Sequence, residues 1–194
     1  MNKYSMTLLL CACMFLLFIC QSLAAGDNPS KEYKDKGERF SLMVPAGWKA
    51  FDDRGNVYFE HDGFASFSVD GFPVEKNETL ADLVSRIEPY DFKNETMEIH
   101  SNVIEKTDTT VDGVPAVRII QRSEAKGIIA GEPYAETDII DGYFFIKNNH
   151  VYIITLNSPE ATYKNISSDF ERAVKSFKAG TKPFEAKSCS PSGG

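Results

Sequence analysis

Two apolar runs close to each other, Tyr143-Phe144-Phe145-Ile146 and Val151-Tyr152-Ile153-Ile154-Thr155-Leu156, constrain this chain more than any other feature. Both are nearly continuous in apolar and aromatic residues. A strand with one wet face alternates; a strand covered on both faces reads like these two. Between them stand Asn148 and Asn149, and asparagine tolerates the left-handed backbone that a tight turn needs. The pair is therefore expected to be a hairpin at the centre of a sheet.

Alternation elsewhere adds strands around it. Arg39-Phe40-Ser41-Leu42-Met43-Val44 alternates and is broken by Pro45-Ala46-Gly47. Trp48, the single tryptophan, opens a short second strand, and Asp52-Asp53-Arg54-Gly55 reads as a turn. Residues 56–60 and 64–69 flank His61-Asp62-Gly63, a hairpin signal because glycine takes a positive φ readily. Residues 99–110 and 114–122 flank Asp112-Gly113 in the same way. Leu80, Leu83, Val84 and Ile87 fall at helical spacing, with Thr79 and Asp82 to cap the first turn and Pro89 to stop it. A second helical region opens at Ser158-Pro159. A break is expected over residues 165–167, then a restart at the capping-box sequence Ser168-Asp169-Phe170-Glu171. Phe170, Ala173, Val174 and Phe177 form its apolar face, and Gly180 ends it. This is an α+β layout, a mainly antiparallel β-sheet with helices packed on it.

The 194 residues fit one domain. Residues 1–25 have the three parts of a signal peptide: Lys3, an apolar run of about 15 residues from Met6 to Cys20, and small residues at Ser22 and Ala24. Ala25 or Gly26 would begin the mature chain. The run is short of the roughly 20 residues that span a bilayer. An uncleaved anchor, or lipidation at Cys13 or Cys20, is the alternative, and only these would bring the chain to a membrane. Residues 26–31 read as a flexible linker, 32–178 as the domain and 179–194 as a flexible tail. Three of the four cysteines lie in the signal segment, which leaves Cys189 alone in the tail and no internal disulfide.

The net charge of −7 becomes more negative once Lys3 is removed. An acidic domain repels phosphate backbones, which argues against nucleic acid as a partner. No nucleophile elbow, His-Glu-x-x-His or phosphate-binding glycine loop is present in the sequence. His61, His100 and His150 fall in separate elements. The acidic patch Asp52, Asp53, Glu60, His61 and Asp62 has the ligand types for a divalent cation, but no spacing fixes a geometry. Two solvated turns are the plainer reading, and no cofactor is required. Asp138 and Asp141 read as turn and edge residues rather than an acid/base couple. Asn77-Glu78-Thr79, Asn94-Glu95-Thr96 and Asn165-Ile166-Ser167 match the N-glycosylation sequon. Trp48, Tyr58, Phe64, Phe67 and Phe72 are expected to pack in the core against the first helix, or to line a cleft.

The stretch from Arg39 to Trp48 resembles the Pro-x-Gly-Trp opening of PsbP-like domains. Val111-Asp112-Gly113-Val114-Pro115-Ala116 resembles their central strand after a glycine turn. Residues 169–177, ending in Ser176-Phe177, are similar to their closing helix. The resemblance covers roughly residues 32–178. It implies an α/β/α sandwich and a non-catalytic role, and it carries over no functional residue. The expectation is an exported, extracytoplasmic protein of the cell envelope that binds a protein partner or assists an assembly. A metal- or small-ligand-binding module of the extracytoplasmic space is the alternative, and an enzyme of an unrecognised kind a third.

Overall fold

The computed structural model describes residues 30–53, 56–182 and 184. The signal segment, Arg54-Gly55 and Cys189 lie outside the described residues. The strands are β1 (Lys31–Lys34), β2 (Phe40–Val44), β3 (Lys49–Asp53), β4 (Asn56–His61), β5 (Ala65–Pro73), β6 (Tyr90–Lys93), β7 (Met97–Val111), β8 (Val114–Ile129), β9 (Glu132–Lys147), β10 (His150–Pro159) and β11 (Lys178–Ala179). The helices are α1 (Leu80–Ser85) and α2 (Glu160–Ser176). One sheet has the order β3-β4-β5-β10-β9-β8-β7-β6 and the other β1-β2-β11. Every pairing is antiparallel.

The hairpin of β9 and β10 is central, as its composition predicts. Asn148 and Asn149 both take positive φ, 52° and 61°, to close it. Its two faces feed two apolar clusters. On one face Tyr143, Phe145, Tyr152, Ile154 and Leu156 pack with Phe67 of β5, Phe40 and Leu42 of β2, and Phe170, Val174 and Phe177 of α2. On the other, Phe144 packs with Val117 and Ile119 of β8 and Val84 of α1. The large sheet is thus covered by α2 and the small sheet on one side and by α1 on the other.

The first helix begins as expected. Thr79 accepts from the Asp82 N–H at 3.2 Å, and the Asp82 carboxylate accepts from the Thr79 N–H at 2.9 Å. The second helix differs: α2 runs without interruption through Asn165, Ile166 and Ser167. Ile166 is buried in the main cluster, so packing holds the segment helical where the local sequence favours a break. Ser168-Asp169-Phe170-Glu171 is helix interior, and α2 ends at Ser176 rather than at Gly180. Its last turn is tied to the small sheet by Ser176, whose hydroxyl accepts from the Met43 N–H at 2.7 Å.

Three further differences extend the fold beyond its expected bounds. β1 is an added strand that starts at Lys31, the last residue of the expected linker, β6 falls in the expected polar loop, and β8 and β9 run well past Arg122 and well before Tyr143. The chain also stays in the fold beyond residue 178. Gly180 donates to the Arg39 carbonyl at 2.7 Å, and Phe184 is buried against Phe40 and Tyr152. Two glycines permit this closure. A Cβ at Gly71 would lie 2.4 Å from the Phe184 ring, and one at Gly180 would lie 1.9 Å from the Glu38 carbonyl oxygen.

Candidate functional site

The most highly organised polar group lies between α2 and the large sheet. Asp141 of β9 is fully buried, on the same face as Tyr143 and Phe145. Arg118, on the neighbouring strand β8, forks onto it, with Nε to Oδ1 at 2.9 Å and Nη2 to Oδ2 at 2.6 Å. The Tyr163 hydroxyl of α2 donates to Asp141 Oδ2 at 2.9 Å, and Arg118 Nη1 donates to Glu171 of α2 at 2.9 Å. The guanidinium also lies 5.3 Å from the Tyr143 ring. Hydrogen bonding to Asp141 raises the Arg118 pKa further, and burial raises both tyrosines. Asp141 is therefore no edge residue. Asp138, three positions away in an alternating strand, points to the opposite face, so the two aspartates form no couple. Each member of the network is held by another, which makes it a clamp of helix on sheet rather than a group poised for proton transfer.

A second polar hub sits at the β7–β8 turn. The Asp112 carboxylate accepts from Lys147 Nζ at 2.5 Å, Lys178 Nζ at 3.0 Å and the Ala179 N–H at 2.9 Å. Burial would raise this carboxyl, but the three bonds outweigh it and hold its pKa below the ordinary value.

Several exposed apolar side chains lie on the far half of the large sheet. Neither apolar cluster includes a β8 residue beyond Ile119 or a β9 residue before Tyr143. From there outward β6, β7, β8 and β9 form a blade. Its β6 edge separates its side chains by face. Asp91 and Lys93 point one way, where Asp91 bonds His100 and Lys93 pairs with Glu98 at 3.2 Å. Tyr90 and Phe92 point the other way and are 50% and 39% exposed. Phe92 stands opposite half-buried Ile99. At the tip of the β8–β9 hairpin, Ile128 and Ile129 are 59% and 49% exposed. These large apolar side chains stand on paired strands and so are presented at little further entropic cost. Nothing in the sequence marks them: β6 is only four residues long in a polar stretch, and Ile128 and Ile129 lie on the part of β8 beyond Arg122.

The predicted site residues are not all brought together. Asp52 lies opposite Val57 and Asp53 opposite Asn56, whereas Glu60 lies opposite Lys49. Asp52 and Asp53 thus occupy one end of the β3–β4 hairpin and Glu60, His61 and Asp62 the other, about 10 Å of strand away. Asp52 pairs with Lys36 at 3.4 Å, and His61 Nδ1 lies 3.2 Å from Asp62. Among the described residues no three metal-ligating side chains form a group. His61, His100 and His150 lie on β4, β7 and β10.

The aromatic set also divides. Trp48 and Phe67 are buried, Phe67 against Phe170 of the last helix rather than the first. Tyr58 stacks on Phe51 on the opposite face, and Phe64 is 77% exposed. Of the sequons, Asn77 is exposed in a turn and Asn165 on α2. Asn94 lies in the β6–β7 turn. Its Oδ1 accepts from the Thr96 and Met97 N–H groups at 2.9 and 2.7 Å, which leaves Nδ2, the atom a glycan takes, outside these bonds.

No protein-family model matches the chain, and no curated protein matches it. Solved structures to which it is similar include cyanobacterial PsbP (CyanoP) from Synechocystis sp. PCC 6803, with 16% identity, a TM-score of 0.47 and coverage of 80% of this chain and 95% of that one. The Ran-binding protein Mog1p of Saccharomyces cerevisiae has 12% identity and a TM-score of 0.47, over 78% of this chain and 95% of its own. LpqN, involved in cell envelope biogenesis of Mycobacterium tuberculosis, has 9% identity and a TM-score of 0.47, over 79% and 91%.

Proposed function

We propose that this chain is an exported, non-catalytic accessory protein of the cell envelope, which binds a protein partner through the blade of β6 to β9. The observation that carries the reading is the apolar strip of Tyr90 and Phe92 on an edge strand, with Ile129 on the same face at the adjoining hairpin tip. Exposed aromatic and aliphatic side chains on rigid strands are the anchors that interfaces use, and aromatic residues are enriched there. The acidic surface keeps such a protein soluble while it waits for its partner. Export rests on the layout of residues 1–25, and cleavage after Ala24 or Ala25 would release the domain.

The test is affinity capture from native envelopes with wild-type protein and the double variant Tyr90→Ser, Phe92→Ser, both checked for folding by circular dichroism. One recurrent partner, recovered by the wild type and lost by the folded variant, is the expected result. Equal recovery by both, or no specific partner for either, would overturn the reading. N-terminal sequencing of the exported protein checks the cleavage site in the same preparation.

A further inference from the structure

β8 pairs with β7 along almost all of its length, but on the other side β6 covers only Glu98 to Ser101. Among the described residues no strand pairs with Asn102 to Val111 on that side. The two-residue turn of Asp112 and Gly113, both at positive φ, makes Val111 and Val114 a hydrogen-bonded pair. Counting back from it, residues 109, 107 and 105 direct their N–H and C=O groups at β8, while 110, 108 and 106 direct theirs outward. Residues 104–108 and 110 are all exposed.

The order of charges along this open edge is Glu105-Lys106-Thr107-Asp108-Thr109. We propose that the edge is the docking surface for a second copy of this chain, paired antiparallel about a two-fold axis at Thr107. In that register Lys106 stands opposite the partner's Asp108 and Asp108 opposite the partner's Lys106. Glu105 stands opposite the partner's Thr109. Lys106 and Asp108 both point their backbone groups outward, so each pair exchanges its main-chain hydrogen bonds. Opposite charges on facing strands add to this, and like charges subtract from it.

The neighbouring registers fail. An axis at Lys106 sets lysine against lysine, and an axis at Asp108 sets aspartate against aspartate. An axis between two residues sets an outward-pointing residue against an inward-pointing one. Charges on an edge ordinarily keep strands apart. Here their order repels both of the flanking registers that keep the backbone in phase and attracts in the one between them. The bulge at Ile104, between Val103 and Glu105, ends the straight stretch and limits how far the pairing runs.

This edge contains neither Tyr90 nor Phe92, so the inference stands apart from the partner-binding reading. Sedimentation equilibrium of the purified protein over a range of concentrations tests it. The wild type is expected to move from the mass of one chain to that of two. D108K should stay a monomer, and the swap K106D/D108K, which restores opposite charges, should recover the dimer. Amide exchange at Lys106 and Asp108 should slow at dimer concentrations in the wild type alone of the first two. A wild type that stays monomeric at its highest soluble concentration would overturn the proposal, as would an association unchanged in D108K. Folding of the exposed-site variants is read from their thermal transitions.

Discussion

Asp141 has no exposed side chain, and its charge is tolerated because Arg118 and Tyr163 reach it from a strand and a helix. Removing one partner leaves a buried charge uncompensated, which is worth about 3–5 kcal/mol, whereas replacing both with apolar residues is often nearly neutral. R118M should therefore lower the unfolding free energy by about 3–5 kcal/mol, and R118M/D141L by clearly less, measured by urea denaturation. Asp112 offers a pH test. Its pKa is lowered in the fold, so its contribution is complete above the unfolded value of about 4 and is lost as pH falls through the folded value. D112N keeps a side chain suited to the left-handed turn. It should cost about 1–3 kcal/mol at pH 7, and the gap from wild type should narrow at pH 3, read from urea midpoints at both. Neither hub was legible in the sequence. Arg118 lies 23 positions from Asp141, and Asp112 lies 66 from Lys178. Nothing local marks such pairs; only strand register brings them together.

Elements were legible where burial writes a period into the chain. The β9–β10 hairpin, β2, the turns at Asp62, Asp112 and Asn148, and the capped start of α1 all follow from local residues. The outer half of the blade does not. Residues 132–138 are Glu-Pro-Tyr-Ala-Glu-Thr-Asp, without clean alternation, because none of them is buried and this part of the strand has no dry face to mark. The continuity of α2 was hidden for the opposite reason: Asn165 and Ser167 look like a break, but Ile166 between them is anchored in the core. I166A should therefore destabilise the fold by about 2–4 kcal/mol, against almost nothing for a loop residue, in the same urea assay. Native-state hydrogen exchange should find residues 163–170 protected as one unit.

At the scale of the molecule, the sandwich was legible as a class, since apolar arms on both faces of one hairpin require cover on both sides. Its closure was not, because the last contacts come from a segment that reads as tail. Phe184 stacks on Phe40, meets Tyr152 edge-on and lies 4.8 Å below the Arg39 guanidinium. F184A should cost about 3–5 kcal/mol, and G71A should lower stability by displacing the same ring; differential scanning calorimetry would measure both. The same seat sets an order of assembly. Phe40, in the second strand, is flanked by Phe177 and Phe184, both far along the chain from it. As a chain grows or is threaded from its N-terminus, Phe40 emerges long before either neighbour. This part of the core stays open until the segment bearing Phe177 and Phe184 has been made, so in synthesis from the N-terminus the architecture postpones its own closure until residues near 184 have emerged.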